Sequence, residues 1–416
     1  MTAFDYDVSI IGAGPSGSVA AAILCQKGYR VCVSERQKFP RFSIGESLLP
    51  QCMAYIEEAG MLEAVLKKNF QRKDGAVFGC RGEMVTFNFD DKSSAGHSET
   101  FQVIRSEFDK VLIDEAENQG ADLFYETSVE SGTFIEEGAT LSVIGPEGKR
   151  KIRSKFCLDA SGYGRVLPRL LDLDVPSKFP NRISYFSHIQ DNIKSPSFNR
   201  DRILITVHPE HKDIWYWLIP FSNGTASIGV VGEDKYFVER EAEGKSPEEV
   251  LLASIEQDND LSELLNDAVY HQPVQRIGGY SCGVKTLHGP SFALLGNAGE
   301  FLDPVFSSGV TIAIKSASLA ANLLDRQFKE DDVCWEEHYT KPLMIGIDTF
   351  RAFVESWYAG DLMDIFFTEK EKDPLIQSYL SSILAGYAWD TENPYVLNSS
   401  RRLNSLTKLC RCGSVL

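Results

Sequence analysis

The sequence has little positive charge and no long hydrophobic run. Its 416 residues include 42 Lys and Arg against 59 Asp and Glu, which gives a net charge of −17. Nucleic acids and anionic membranes are bound by surfaces rich in Lys and Arg, so this balance argues against both partners. No apolar run reaches the ~18 residues that a membrane helix needs. The start is acidic at Asp5 and Asp7, unlike the basic start of a signal peptide. We therefore expect a cytoplasmic protein without a transmembrane segment.

Motifs for a metal centre are also missing. The nine cysteines include no C-x-x-C pair and have no His partner at metal-ligand spacing. We therefore predict no metal site, and the scattered thiols fit a reducing, cytosolic setting. Hydrophobic residues are 43% and charged residues 24% of the chain, which is the composition of a folded protein with a sizeable core.

The clearest positive signal is a single glycine-rich turn. Gly12-Ala-Gly14-Pro15-Ser16-Gly17 follows a β-branched run at residues 6–11, and Glu35 ends the next predicted strand. In such a unit the first glycine permits the turn, the second lets a pyrophosphate approach, and the third lets helix and strand pack. The helix N-terminus favours phosphates and the acidic residue accepts hydrogen bonds from a ribose. The predicted dinucleotide contacts are Gly12, Gly14, Pro15, Ser16, Gly17, Glu35 and Arg36.

The dinucleotide pattern is interrupted by a region of different character. A helix is predicted over 48–68, and strand-like runs within 180–285 indicate a largely antiparallel lobe before the first pattern resumes at residue 292. We predict an α/β fold with a Rossmann-like domain, an inserted and mainly antiparallel β domain, and a C-terminal helical region. The predicted dinucleotide domain comprises residues 1–75, 100–180 and 286–330, the substrate domain 76–99 and 181–285, and the helical region 331–416.

Three further segments carry a resemblance to a known superfamily. Val103-Ile-Arg105-Ser-Glu-Phe-Asp109-Lys-Val-Leu112, Asp159-Ala160-Ser-Gly162 and Gly296-Asn297-Ala-Gly-Glu-Phe-Leu-Asp303-Pro304 resemble the successive flavin signatures of aromatic-hydroxylase-type FAD proteins. The resemblance implies FAD as the cofactor. Asn297 stands where that superfamily usually has Asp. The FAD contacts implied in this way, beyond the glycine turn and Glu35, are Arg41, Ser47, Arg105, Asp159, Ala160, Gly162, Gly296, Asn297, Asp303, Pro304, Gly309 and Val310.

Local motifs narrow the resemblance to flavin-dependent halogenases of the phenol and pyrrole type. They are Phe39-Pro-Arg41-Phe-Ser-Ile-Gly45-Glu-Ser47-Leu-Leu-Pro50, Trp215-Tyr-Trp217-Leu-Ile-Pro220 and Phe301-Leu-Asp303-Pro-Val-Phe-Ser307-Ser308-Gly309. The W-x-W-x-I-P string is a named motif of that family. Lys73, in Arg72-Lys73-Asp-Gly75, matches the segment around the family's lysine. Phe306 stands where tryptophan-type members carry Glu, which argues against free tryptophan as substrate. Trp215 and Trp217 also share one face of a strand, so a place in an aromatic core is an alternative to direct chemistry.

The resemblance implies a mechanism. Reduced FAD and O₂ would oxidise a halide held near Ser308 and Gly309 to hypohalous acid. Lys73 would hold that oxidant, as a haloamine or by a hydrogen bond, against an electron-rich ring. Because no second G-x-G-x-x-G is present, electrons would come from a separate flavin reductase or from transient NAD(P)H docking.

Two other readings of the sequence stay open. One is an FAD-dependent aromatic monooxygenase or a reductase resembling geranylgeranyl reductase, acting on an isoprenoid. The other is a flavin-binding redox partner without turnover of its own. The substrate is expected to be small, aromatic or isoprenoid, and free or tethered to a carrier protein.

Overall fold

Two large β-sheets and their flanking helices make up the computed structural model, which describes residues 4–177, 179–368 and 373–411. The strands are β1 (Tyr6–Ile11), β2 (Val31–Ser34), β3 (Gln71–Lys73), β4 (Gly75–Cys80), β5 (Glu83–Asn88), β6 (Thr100–Gln102), β7 (Asp122–Phe124), β8 (Ser128–Ile135), β9 (Gly138–Gly145), β10 (Gly148–Asp159), β11 (Asp174–Val175), β12 (Arg182–Gln190), β13 (Arg202–Val207), β14 (Trp215–Pro220), β15 (Thr225–Glu233), β16 (Val269–Tyr270), β17 (Gln275–Gly278), β18 (Gly283–Val284), β19 (His288–Gly289) and β20 (Phe292–Leu294). The α-helices are α1 (Pro15–Gln26), α2 (Gln51–Glu58), α3 (Leu62–Leu66), α4 (Arg105–Asn118), α5 (Val166–Leu170), α6 (Asp234–Ala242), α7 (Pro247–Ile255), α8 (Asn259–Leu264), α9 (Ser308–Phe328), α10 (Lys341–Tyr358), α11 (Asp361–Phe366), α12 (Pro374–Leu384) and α13 (Ser399–Arg411). None of these helices is long and apolar enough to cross a bilayer.

The first sheet gathers strands that are far apart in sequence. Its order is β19-β20-β10-β1-β2-β7, and β20, β10, β1, β2 and β7 run parallel. Ile11 lies opposite both Ser34 and Asp159, so the carboxyl ends of β1, β2 and β10 meet at one edge. Helix α1 packs against this sheet, and α4 and α9 pack against α1. In open parallel sheets ligands bind at that edge, where the strand order reverses.

The second sheet has two faces with different neighbours. Its order is β16-β12-β15-β14-β13-β4-β5, with β17 also on β12, and only the β13–β4 pair is parallel. Phe186, Trp215 and Trp217 project from one face into a core shared with the first sheet. Tyr216 and Leu218 project from the other face into a second core, which α7 helps to enclose. The face that carries the two tryptophans is therefore turned toward the first sheet.

The predicted fold class is confirmed, whereas one local prediction was wrong. The helix predicted over 48–68 is two helices, α2 and α3, because Gly60 between them has φ +68° and ends the first one. The lobe predicted as largely antiparallel is so, and it also contains α6, α7 and α8, which the prediction did not include. Ser246 and Asp258 cap the last two of these helices, and neither cap was used in the prediction. The domain boundaries stay a prediction.

Candidate active site

Two glycines of the first turn are required by packing alone. Gly12 has φ +96°, and a Cβ there would lie 2.6 Å from the carbonyl oxygen of Ala160. A Cβ on Gly17 would lie 2.0 Å from the carbonyl oxygen of Gly12. Both positions thus allow β1, β10 and the start of α1 to approach closely, as the motif predicts.

Gly14 differs because its missing side chain leaves open space. It is the N-cap of α1, followed by Pro15 in the first turn. A Cβ there would have Arg41 Nη2 as its nearest neighbour, at 3.5 Å. The open position thus adjoins a guanidinium and the N–H groups of the first helical turn, where Ser16 is buried. A phosphate fits this cradle by charge and by shape.

Glu35 lies at the end of β2 and is fixed by backbone groups. The N–H of Ala13 donates to Oε2 and the N–H of Gln37 donates to Oε1, each at 2.9 Å. Each carboxylate oxygen retains a second lone pair, which can accept a bond from a ribose hydroxyl. Arg36, the next residue, is exposed.

A buried ion cluster holds the loop at residues 41–47. Asp109 of α4 accepts from Arg105 Nε at 2.8 Å and from Arg41 Nη1 at 3.0 Å. Arg105 Nη1 in turn donates to the carbonyl oxygen of Ile44 at 2.6 Å. One buried carboxylate thus fixes both predicted flavin-contacting arginines beside the glycine turn.

The carboxylate of Asp159 is bound by nearby backbone N–H groups. Its two carboxylate oxygens accept from the N–H groups of Ser161, at 2.9 Å, and Leu167, at 2.6 Å, and burial raises its pKa. The carbonyl oxygen of Ala160, the next residue, lies against Gly12. Gly162 has φ +57°. The contribution of this signature to a ligand site is therefore the shape of its turn.

The segment before α9 makes a second sharp turn. Gly296 has φ +50°, and a Cβ there would lie 2.7 Å from Cβ of Ala313. Asn297 is half-buried after it, and Pro304 opens a short 3₁₀ turn. Ser307 has φ +56° and does not cap α9 with its side chain. The first N–H groups of α9, which begins Ser308-Gly309-Val310, therefore lack helical partners and suit a small anion.

Asp303 in this turn is paired, so its charge does not oppose such an anion directly. Its Oδ1 accepts from the N–H of Val305 at 3.1 Å, and its Oδ2 accepts from the hydroxyl of Tyr358 at 3.0 Å. Burial raises the pKa of Asp303, although the positive charge of nearby Arg182 acts to lower it.

The two tryptophans of β14 lie on the face turned toward the first sheet. Trp215 Nε1 donates to the hydroxyl of Tyr358 at 2.9 Å, and Trp217 Nε1 donates to Ser227 Oγ at 3.0 Å. Trp217 lies across Gly229, where a Cβ would be 2.3 Å from the indole. Trp215 is therefore linked through Tyr358 to Asp303, and both indoles also belong to the core.

Lys73 is buried, with 1% of its surface exposed. Its Nζ donates to Ser47 Oγ at 2.7 Å and to the carbonyl oxygen of Leu48 at 2.8 Å. The ring centroid of Phe89 lies 5.4 Å away. No described carboxylate pairs with the Nζ, and burial lowers the pKa of Lys73 to about 7. An unpaired buried ammonium is unfavourable, which is the usual signature of a functional group.

Sequence reasoning missed four residues around these groups. Tyr358 joins Trp215 to Asp303, and Arg182 stacks on the Tyr358 ring at 3.3 Å. Glu46 and His188 form a hydrogen-bonded pair. Each link joins segments far apart in the chain, and no local motif signals it.

Similarity to known proteins identifies the cofactor. Residues 5–271, more than half of the chain, match the protein family described as an FAD binding domain. The chain belongs to this FAD-binding family. The flavoprotein is 29% identical to a 1H-pyrrole-2-carbonyl-(peptidyl-carrier protein) chlorinase from Pseudomonas fluorescens, over 97% of this chain and 94% of the relative.

Solved structures agree with this assignment. A flavoprotein/dehydrogenase from Cytophaga hutchinsonii is 44% identical, with a TM-score of 0.93 over 98% of this chain and 99% of its own. A flavin-dependent brominase is 25% identical, with a TM-score of 0.84 over 96% and 98%. FAD as cofactor, an FAD-dependent oxidoreductase class and the resemblance to flavin-dependent halogenases are confirmed. The open cradle at Gly14, beside Arg41, fits the cofactor.

Proposed function

We propose that this flavoprotein halogenates an electron-rich aromatic ring, using halide, O₂ and reduced FAD. The single observation that supports this most strongly is the burial of Lys73, whose ammonium is held by Ser47 Oγ and the carbonyl oxygen of Leu48. The lysine stands on β3, at the position that the halogenase motif assigns to it.

The proposed FAD contacts are those predicted from the sequence. Gly14 and the start of α1 receive the pyrophosphate, Glu35 receives the adenosine ribose, and Arg41 and Arg105 line the loop that faces the cofactor. When bound and reduced, FAD supplies the electrons that activate O₂. The residues of this chain bind the cofactor, exclude water from it and hold the halide and substrate.

One group is proposed to hold the halide, and another to hold the oxidant that is formed from it. The N–H groups of Ser308 and Gly309 hold the halide, since they are donors at the start of a 21-residue helix. Lys73 holds hypohalous acid and orients its halogen toward the ring. Trp215 and Trp217 form the wall that keeps the oxidant from solvent.

The substrate is proposed to be a pyrrole or phenol, delivered on a carrier protein. The name of the Pseudomonas fluorescens relative states that it acts on a pyrrole carbonyl group borne by a peptidyl-carrier protein. This chain aligns over nearly the full length of that relative, which supports the same mode of delivery. Electrons are proposed to come from a separate flavin reductase, because the chain has one dinucleotide fingerprint only.

We expect Gly309→Val to raise the halide concentration needed for half-maximal product formation by about tenfold, while FAD binding changes little. A Cβ at Gly309 would lie 3.7 Å from Phe301 and 4.0 Å from Asn297 Oδ1, so the chain itself tolerates it. The added methyl groups then compete with the anion, whereas the predicted contact of Gly309 with FAD needs only its backbone, and tenfold corresponds to about 1.4 kcal/mol. Product rate against chloride and bromide concentration measures the effect. An unchanged halide dependence would place the halide elsewhere.

A second candidate function is supported by one comparison. The 44% identical structure is described as a flavoprotein/dehydrogenase, which favours a reductase or dehydrogenase without halide. Turnover with an artificial electron acceptor in halide-free buffer tests this candidate. Rapid turnover of that kind, with no halogenated product in halide, would favour the dehydrogenase.

A further inference from the structure

A carboxylate and an imidazole meet beside the proposed flavin loop. Glu46 lies between Gly45 and Ser47, is 1% exposed, and its Oε1 is hydrogen-bonded to Nε2 of His188 on β12. Its other oxygen, Oε2, is buried and has no hydrogen-bond partner among the described residues. The side chain of Glu46 therefore depends on His188 for its only observed polar contact.

The pair lies where the loop faces the second sheet. His188 and Phe186 project from the same face of β12, and the Phe186 ring lies 5.9 Å from the ring of Trp217. Phe42, from the loop, stacks on Phe186 with centroids 6.1 Å apart and is still 44% exposed. The His188 side chain is itself 23% exposed. Part of the imidazole surface is thus accessible beside these aromatic rings.

The contact with Glu46 assigns the state of the imidazole. A carboxylate that accepts from Nε2–H leaves Nδ1 as the acceptor of the neutral ring. Nδ1 has no hydrogen bond to any described residue. Burial is the largest single influence and lowers the pKa of His188, but the hydrogen bond to Glu46 and the negative charge of Glu46 together outweigh it, so the pKa is raised overall. The arrangement is that of a general base with its orienting carboxylate.

Other charged groups near the pair belong to the flavin loop and its supports. The charge of Glu46 helps to raise the pKa of Arg105 on α4. Lys73 donates to the hydroxyl of Ser47, the residue after Glu46. Arg182 lies on β12, at the far end from His188. Glu46 is the group that acts on His188 directly.

We propose that His188 is the base that removes the proton from the aromatic ring during halogenation, with Glu46 as its positioning residue. The proposal rests on the proposed halogenase function. The ring's electron pair forms the C–X bond as the O–X bond of hypohalous acid breaks and hydroxide leaves. The C–H bond then breaks, its electron pair restores the aromatic ring, and the proton passes to Nδ1 of His188. That proton and the hydroxide make water, so the sum is ArH + HOX → ArX + H₂O.

The decisive variant is His188→Gln, which keeps an N–H donor for Glu46. We expect it to slow product formation by about 10²-fold, to leave trapping of hypohalous acid by a small-molecule scavenger unchanged, and to introduce a kinetic isotope effect with ring-deuterated substrate. The matched control is His97→Gln, since His97 also pairs with a glutamate, Glu57, at 3.4 Å, but on the surface. The control should behave as wild type.

The pH dependence of the rate in Glu46→Gln distinguishes a positioning role of Glu46 from a merely structural one. His188 must be neutral to accept a proton, so the rate should rise with pH through its pKa. Removing the charge of Glu46 lowers that pKa, and the acidic limb of the rate profile should shift to lower pH. If the variants do not fold, the wild-type imidazole is titrated by NMR, and its pKa must coincide with that acidic limb.

The outcomes separate the two proposals. Halogenated product from wild type, with unchanged rate, isotope effect and pH profile in both variants, would overturn the role of His188 alone. A mismatch between the NMR titration and the acidic limb would do the same. If wild type forms neither trapped hypohalous acid nor halogenated product, the proposed function fails and the role of His188 fails with it.

Discussion

Lys73→Met is expected to reduce halogenated product by about 10²-fold or more, while FAD binding and consumption of O₂ continue. Methionine has nearly the length of lysine and fills the same buried space, but it can neither donate a hydrogen bond to the oxidant nor form a haloamine. Positioning of the reacting groups supplies factors of this size. Product is measured by mass spectrometry, and uncoupled O₂ consumption is measured as released hydrogen peroxide.

Lys92 provides a matched control for that variant. Its Nζ donates to Ser98 Oγ at 2.7 Å and lies 5.7 Å from the ring centroid of Tyr387, contacts of the same kind as those of Lys73, although Lys92 is only half-buried. Burial lowers its pKa as well. Lys92→Met should therefore reproduce any general cost of replacing a partly buried lysine, without loss of product. Equal losses in both variants would remove Lys73 from the chemistry.

The protonation state of Lys73 distinguishes its two possible roles. Its pKa of about 7 lies well below the usual 10.5, so both forms are present near neutral pH. A haloamine forms from the neutral amine, and the rate should then rise with pH through about 7. A hydrogen bond needs the ammonium, and the rate should then fall over the same interval. The profile is compared in Glu46→Gln, which leaves Lys73 in place, to separate it from the limb due to His188.

Gly14→Val is expected to weaken FAD binding by about 100-fold, or about 2.7 kcal/mol, with little loss of folding stability. Gly14 has φ −73°, which any residue adopts, and the position of its Cβ is open beside Arg41. The added side chain occupies the place proposed for the pyrophosphate. FAD affinity is measured by fluorescence titration, and stability of the cofactor-free protein by urea unfolding.

Gly17→Ala should give the opposite pattern. A Cβ there would lie 2.0 Å from the carbonyl oxygen of Gly12, so the variant should lose about 3 kcal/mol of unfolding free energy. If Gly14→Val retained FAD at unchanged affinity, the pyrophosphate would lie elsewhere. If it unfolded like Gly17→Ala, Gly14 would serve packing alone.

The local parts of the fold and site could be predicted from sequence. The glycine turn, α1, β2 and Glu35 lie within 30 consecutive residues, so their spacing determines how they meet. The start of α9 is equally local, because apolar and small residues follow Ser308 and Gly309 at helical spacing. The break of the helix at residues 48–68 was missed because Gly60 is compatible with a helix until the packing of α2 and α3 is known.

The remaining parts depend on contacts that only the folded chain makes. Tyr358 meets Trp215 across 143 residues, and His188 meets Glu46 across 142. A lone tyrosine in a helix and a lone histidine in a strand have ordinary structural explanations, so neither stands out in one sequence. Lys73 was named from a resemblance, whereas its burial could not be read from its polar neighbours Arg72 and Asp74.

The most direct test of the central claim is the identity of the product. Wild-type protein is supplied with FAD, NADH, a separate flavin reductase, O₂, chloride or bromide, and a panel of pyrroles and phenols, both free and carrier-bound. We predict that one aromatic hydrogen is replaced by the supplied halogen, seen as its isotope pattern in the mass spectrum, and that omission of halide abolishes this product. Turnover in halide-free buffer to a hydroxylated or saturated product, at the same rate as in halide, would contradict it.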